Sequence, residues 1–180
     1  MVYVFLADGF EEVEALTPVD LLRRADIEVR TVGVSGRNVT GAHGVTVTAD
    51  IPADEVDIKT AEMIVLPGGY PGYVNLETSD AVQTAIDECA AMGRFIAAIC
   101  AAPTILGHKG LLRGKSATCF PGMEGELEGA VLSGDPVVRD GMIVTSRAAG
   151  TATDFALCLI GCLAGDDTAE RIRAQITYGA

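Results

Sequence analysis

The sequence predicts an α/β fold: a three-layer sandwich with a mostly parallel sheet and helices on both faces. Three observations predict it. Short continuous runs of apolar, often β-branched residues recur along the chain with segments of helical spacing between them, the pattern of strands buried on both faces. No Pro/Gly/Ser-rich linker divides the 180 residues, 49% of which are hydrophobic, so residues 1–180 read as one domain with a sizeable core. Glycines and reactive residue types gather where the apolar runs stop, at Asp8-Gly9, Pro67-Gly68-Gly69, Cys100 and Ser146-Arg147. In a parallel sheet these are the carboxyl ends of the strands, the edge at which ligands bind.

The elements follow in order. Residues 2–7 form a first strand, and a helical stretch runs from about Glu11 to Ala25, where Pro18 is expected to interrupt and bend it. Residues 28–34 alternate as a second strand, Ser35-Gly36-Arg37-Asn38 turns, and residues 45–49 alternate again, which suits a small hairpin. Met63-Ile64-Val65-Leu66 is a buried strand that ends at Pro67-Gly68-Gly69. Residues 79–92 have helical spacing at Val82, Ile86 and Cys89, with Ser79 as the cap. Phe95-Ile96-Ala97-Ala98-Ile99 is the next strand and runs into a helix through Cys100. Residues 137–144 read as a hairpin with Asp140-Gly141 at its turn, and residues 151–163 and 168–176 close the chain as two helices.

Composition narrows the partners. With 25 acidic against 13 basic residues the formal charge is −12, and no basic run offers a phosphate backbone a footing, so nucleic acid is excluded as a partner. The apolar run at residues 1–7 is too short for a membrane span or signal core and has no basic leader, which predicts a cytoplasmic protein without membrane contact. Five cysteines, an odd number in a chain that needs no staples, are expected as reduced thiols. Cys158 and Cys162 lie one helical turn apart but lack further ligands, so they read as small core residues and no metal site is expected.

Cys100 carries the most information. β-Branched Ile96 and Ile99 mark a strand before it, and Pro103 is tolerated in a helix only in the first turn, so the cysteine is confined to the strand-to-helix corner. That is the geometry of a nucleophile elbow. It aims the free N–H groups of the new helix at the sulfur, which is expected to favour thiolate over thiol.

A cysteine nucleophile needs a group to hold its proton and donors for the oxyanion it creates. Glu14, bracketed by Val13, Ala15 and Leu16, is expected to face inward with its pKa raised and to donate a hydrogen bond to the thiolate, while Glu11 and Glu12 reach water. The pattern equally allows all three to be ordinary helix-start glutamates. Gly68 and Gly69 can bring backbone N–H groups close to a substrate and, with the N–H of Ala101, form an oxyanion hole; turn-making alone also explains them. Neither histidine sits as a general base. His108 belongs to the helix after Cys100, and His43 is a solvated turn residue unless it lines the cleft from a neighbouring loop or subunit. Arg147, at the active edge, is either an anchor for an anionic group or a loop salt bridge.

These stretches together resemble the ThiJ/PfpI superfamily, in the branch of the parkinsonism-associated DJ protein and its bacterial relatives. The matching segments are residues 7–14 (Ala-Asp-Gly-Phe-Glu-Glu-Val-Glu) with Pro18-Val19-Asp20, Leu66-Pro67-Gly68-Gly69, Ala98-Ile99-Cys100-Ala101-Ala102-Pro103, and Val144-Thr145-Ser146-Arg147 with Gly150-Thr151, in family order across nearly the whole chain. The resemblance implies one flavodoxin-like domain, related to class I glutamine amidotransferases, and a homodimer with the site near the subunit boundary. It implies Cys100 as the reactive cysteine, Glu14 as the protonated glutamate against it, and Gly68, Gly69 and Ala101 as backbone donors. The activities it implies are a glutathione-independent glyoxalase converting methylglyoxal to lactate, a protein deglycase, or a redox-sensing or chaperone protein.

Departures from the family pattern matter. Where one branch has a histidine in a Thr-His-Pro segment this chain has Cys119-Phe120-Pro121, and Ala148-Ala149 replaces the common Gly-Pro after Arg147. Ala101 stands where peptidase members have histidine, and no histidine follows His108 to make an amidotransferase His-x-Glu pair, so neither activity is expected. The expected chemistry is addition of Cys100 to a small carbonyl substrate with Glu14 moving protons, which requires neither metal nor organic cofactor. Two other readings use the same residues: a redox sensor in which Cys100 oxidises to a sulfinate, and a holdase whose site is structural.

Overall fold

Alternation along the central strands decides the layering. In β1 (Val2–Leu6), Val2, Val4 and Leu6 pack into one core layer and Tyr3 and Phe5 into the other, and all five are buried. A period of two demands this once both faces are covered. β6 (Met63–Leu66) and β7 (Phe95–Ile99) divide the same way, Met63, Val65, Ala97 and Ile99 on the first face and Ile64, Leu66, Ile96 and Ala98 on the second. A computed structural model describes residues 1–179 of the chain.

Around these strands lie β2 (Val29–Gly33), β5 (Ile51–Pro52), β10 (Val137–Asp140) and β11 (Ile143–Ser146), giving one seven-stranded sheet in the order β10-β11-β7-β6-β1-β2-β5. Every pairing is parallel except β10 with β11. α1 (Glu12–Arg24), α5 (Ala152–Ala164) and α6 (Asp166–Gln175) cover the first face. α2 (Gly72–Glu77), α3 (Asp80–Ala91) and α4 (Pro103–His108) contribute to the core on the second. This is the expected mostly parallel α/β sandwich. Among the described residues no helix is long and apolar enough to cross a membrane, and all five cysteines are free thiols.

Several expectations shift. The hairpin of the middle section is β3 (Asn38–Thr40) with β4 (Thr46–Thr48), paired antiparallel outside the main sheet, so its turn is 41–45 rather than Ser35–Asn38. α1 continues through Pro18; the helical bond that proline cannot donate is the one to the Glu14 carbonyl. α2 has no sequence signature, being a turn and a half that opens on a proline and a glycine without apolar periodicity. The β10–β11 register pairs Asp140 with Ile143, so the two loop residues are Gly141 (φ +63°) and Met142, one position beyond the expected turn. A further short parallel pair, β8 (Ser116–Ala117) with β9 (Val131–Leu132), was not foreseen.

The central trio β6, β1 and β7 places the site. Their carboxyl ends feed the loops at 7–11, 67–71 and 100–102, and backbone bonds draw the first two together: Glu11 N–H donates to the Gly68 carbonyl at 2.9 Å and Gly72 N–H to the Gly9 carbonyl at 3.2 Å.

Candidate active site

Cys100 occupies the corner between β7 and α4 in a left-handed backbone conformation, φ +66°. A side chain there costs on the order of 1–3 kcal/mol and persists only where neighbours fix it. Two backbone bonds do so: Cys100 N–H donates to the Ser146 carbonyl at 2.9 Å, and its own carbonyl accepts from Phe120 N–H at 2.7 Å. Pro103 is the first residue of α4, as its fixed φ requires.

Glu14 arrives from the first turn of α1 and is 1% exposed. Gly68 N–H donates to its Oε2 at 2.9 Å, the Ala149 N–H is a further donor, and the Cys100 thiol donates to the carboxylate. Gly68 has to be glycine, because a Cβ there would lie 2.6 Å from Cys100 Cβ and 2.8 Å from Glu14 Oε2. Gly69, at φ +89°, is equally obligatory, with Glu11 N only 2.3 Å from where its Cβ would stand. That close approach lets the Gly69 N–H join the Ala101 N–H on the Cys100 sulfur.

Burial raises the Glu14 carboxyl to about 7, against the pull of its hydrogen bonds with Cys100, Gly68 and Ala149. Burial also pushes the Cys100 thiol up to about 12, helped by the Glu14 carboxylate, and the amides of Ala101 and Gly69 offset this only in part. The expected resting thiolate is therefore corrected. Desolvation and a carboxylate in direct contact outweigh the helix terminus, so nucleophile formation means moving the thiol proton to Glu14. The raised carboxyl itself is as expected.

Other predicted residues stand elsewhere. The Gly68 N–H serves Glu14, which leaves Gly69 and Ala101 as the donors at the sulfur. Glu12, expected in water, is 8% exposed beneath the hairpin loop and accepts from His43 N at 2.9 Å, Val45 N at 3.3 Å and His43 Nδ1 at 3.0 Å. Its burial works to raise the carboxyl, yet these bonds hold it below its ordinary value. His43 leans on Glu12 and on Glu11 with a side chain 70% exposed; its hydrogen bond to Glu12 and the charge of both glutamates raise its pKa. Arg147 forms no anion anchor at the cysteine and donates through Nη1 to the Gly134 carbonyl at 3.0 Å. Cys158 and Cys162 are only partly buried, and a bond from Cys162 lowers the Cys158 pKa while raising that of Cys162.

A cavity of about 220 Å³ opens beside Cys100, lined by Gly69, Tyr70, Tyr73, Ala101, Phe120 and Met123 with the cysteine itself. Neither His43 nor Arg147 lines it. Sequence reasoning missed Tyr70, Tyr73 and Met123, and it noted Phe120 only as a replaced histidine. The signal available was position: Tyr70 directly follows the Gly68-Gly69 turn at the active edge, and Tyr73 stands three residues further on. Ala149 was missed as a donor to Glu14, although it stands where the resembling family commonly has proline, which has no N–H to give.

Known proteins resemble the chain over most of its length. The family model described as the DJ-1/PfpI family matches residues 1–161. Protein dj-1beta of Drosophila melanogaster is 37% identical over 172 residues, covering 94% of this chain and 92% of the relative. A protein of Pyrococcus abyssi named a deglycase is 36% identical over 152 residues, covering 83% of this chain and 90% of that one. The structure of oxidised Toxoplasma gondii DJ-1 superposes with a TM-score of 0.95 at 35% identity, covering 99% of this chain and 98% of the other.

Proposed function

This chain belongs to the DJ-1/PfpI family, and we propose that it is a cysteine-dependent, glutathione-independent glyoxalase or deglycase acting on small 2-oxoaldehydes such as methylglyoxal. One observation carries the reading: a buried carboxyl held at about 7, hydrogen-bonded to a cysteine whose sulfur also receives two backbone N–H groups. A general acid–base group works best with its pKa near the operating pH. The deglycase name of the Pyrococcus abyssi relative supports the same chemistry.

In this mechanism Glu14 takes the thiol proton as Cys100 Sγ bonds to the aldehyde carbon, and the carbonyl π pair moves to oxygen within reach of the Gly69 and Ala101 amides. Glu14 returns that proton to the alkoxide, giving a hemithioacetal. The freed carboxylate then removes the proton from the former aldehyde carbon, the C–H pair becoming a C=C bond as the neighbouring carbonyl's π pair moves to its oxygen, which gives an enediolate. Glu14 delivers its proton to the neighbouring carbon while the proton on the first oxygen passes to the second, and the enediolate becomes a 2-hydroxy thioester. Water cleaves the thioester and releases a 2-hydroxy acid and the Cys100 thiol, so the sequence is redox-neutral. Because Glu14 must begin as a carboxylate, kcat/KM is expected to rise with pH through about 7.

Steady-state conversion of methylglyoxal to lactate by wild type and Cys100→Ser is the test. Conversion that needs Cys100 supports the reading, and no lactate from wild type sinks it. A second reading, an oxidisable sensor cysteine, is favoured by the same amides around the sulfur and by the oxidised state named for the Toxoplasma gondii relative. A Cys100-specific mass gain of two oxygens under mild peroxide, without aldehyde turnover, would select it. We further propose a cytoplasmic homodimer; exposed Val13 of α1 and Val45 of the neighbouring hairpin, 49% and 51% exposed, supply apolar surface for it.

A further inference from the structure

We propose that the cavity beside Cys100 is a recognition site for an uncharged aromatic or branched-alkyl side group, so that the preferred electrophile is a ring-bearing or branched 2-oxoaldehyde. The proposal rests on the cysteine-addition reading above and adds the part of the substrate that reading leaves open.

Three observations carry it. The walls of the cavity are apolar and aromatic: Tyr70 and Tyr73, with ring centroids 6.4 Å apart at 50°, line it together with Phe120 and Met123. Tyr70 is 76% exposed and Phe120 44%, so the fold itself does not bury these rings. Aromatic surface left open beside a reacting atom is the usual means of holding an apolar group there. A methyl substituent fills little of a cavity of about 220 Å³, whereas a phenyl or isobutyl group fills more of it and covers more of its apolar lining.

The second observation is the absence of any charged side chain among the lining residues. The one cation expected at this edge, Arg147, is engaged with the Gly134 carbonyl. The third is the field: a formal charge of −12, with Glu14 against the cysteine and Glu11 acting on Glu14, disfavours approach of a carbonyl compound that carries a carboxylate. Phe120 is then a specificity-determining residue, since it supplies part of the apolar wall beside Cys100.

Two measurements test this together, one of which needs no turnover. The first is kcat/KM for phenylglyoxal, methylglyoxal and glyoxylate. The second is the rate at which N-benzyl iodoacetamide and iodoacetamide alkylate Cys100, followed by peptide mass and divided by the same ratio for glutathione. Because one methylene in an apolar pocket is worth roughly ten- to two-hundredfold, phenylglyoxal is expected to exceed methylglyoxal by about tenfold or more, with glyoxylate poorest. The normalised benzyl preference is expected to be about fivefold or more, falling toward unity in Tyr70→Ala and Phe120→Ala. Tyr70 is exposed enough that its variant folds, and Phe120→Leu, retaining part of the preference, guards against a fold defect at that position. A normalised ratio of one in wild type overturns the proposal. So does turnover that favours methylglyoxal or glyoxylate, which would leave the addition chemistry intact. A high benzyl preference with no turnover of any aldehyde upholds the apolar site and fails the glyoxalase reading.

Discussion

Replacing Glu14 by glutamine is expected to make Cys100 alkylate faster while catalysis slows. The substitution keeps the shape: the amide oxygen can accept the 2.9 Å bond from Gly68 N–H, and the amide nitrogen can donate to the sulfur. What disappears is the negative charge that, together with burial, pushes the thiol to about 12. Two unit charges about 4 Å apart at an effective dielectric of about 20 interact by about 4 kcal/mol, so losing half of that raises the thiolate fraction about thirtyfold. The thiolate's intrinsic nucleophilicity falls with its pKa, by a Brønsted coefficient of about 0.5, which leaves a net acceleration of about fivefold. The assay is Cys100-specific iodoacetamide alkylation under mildly alkaline conditions, read by peptide mass so that the other four thiols do not contribute. Methylglyoxal turnover is expected to drop about a hundredfold or more, since nothing remains to carry the proton. Slower or unchanged alkylation in Glu14→Gln would refute the reasoning, because it would place the resting proton on the carboxyl and the negative charge on sulfur.

Other expectations follow from the same geometry. The Glu14 carboxyl is raised from 4.5 to about 7, so its contribution to stability is fully present below the unfolded value and is lost as pH rises through about 7. The loss is on the order of 3 kcal/mol. Denaturant unfolding of wild type and Glu14→Gln should therefore diverge across that window, with the variant relatively more stable on the alkaline side, and parallel curves would contradict it. Ala149→Pro deletes an N–H donor to the Glu14 carboxylate, so the acid limb of kcat/KM should move to higher pH while the folded spectrum persists. His108 bonds Glu77 of α2 through Nδ1 at 2.5 Å and Glu126 through Nε2 at 2.9 Å, bracing the helix that carries Tyr73 to the turn beyond Phe120 and Met123. Since exposed pairs contribute about 0.2–1 kcal/mol each, His108→Gln should raise KM about two- to fivefold with Cys100 alkylation by iodoacetamide unchanged; an unchanged KM would show that the brace does not shape the cavity.

The central sheet was legible because its strands carry unbroken apolar runs: Met63–Leu66 and Phe95–Ile99 match their expected bounds. The Ser79 cap was legible for a local reason too, its hydroxyl accepting from Val82 N–H three residues on. α2 and the β8–β9 pair were not, since elements so short are held by tertiary contacts and leave no period in the sequence. Within the site, the elbow could be read from Ile99-Cys100 and Pro103, and the inward face of Glu14 from its apolar neighbours. The aromatic walls could not, because Tyr70 and Phe120 reach one cavity only through the adjacency of two strand-end loops, and nothing in either segment alone announces the other.

The failure of the thiolate expectation has a definite cause. The rule that a helix N-terminus lowers a cysteine pKa weighs one local term, and here α4 is only six residues long while the sulfur lies buried against a carboxylate delivered by a helix from the start of the chain. Gly68 makes the contact possible by having no side chain, and its N–H then fixes which carboxylate oxygen is held. A thiol kept protonated by the group that will accept its proton becomes nucleophilic only as negative charge passes from sulfur to a bound carbonyl oxygen. Attack and proton transfer are thereby coupled, and the resting cysteine, poor in thiolate, is a weak target for chance oxidants. On this argument peroxide should oxidise Cys100 more slowly than its position at an elbow suggests, and more slowly than it oxidises the same cysteine in Glu14→Gln; oxidation faster in wild type than in that variant would reverse the assignment of the proton.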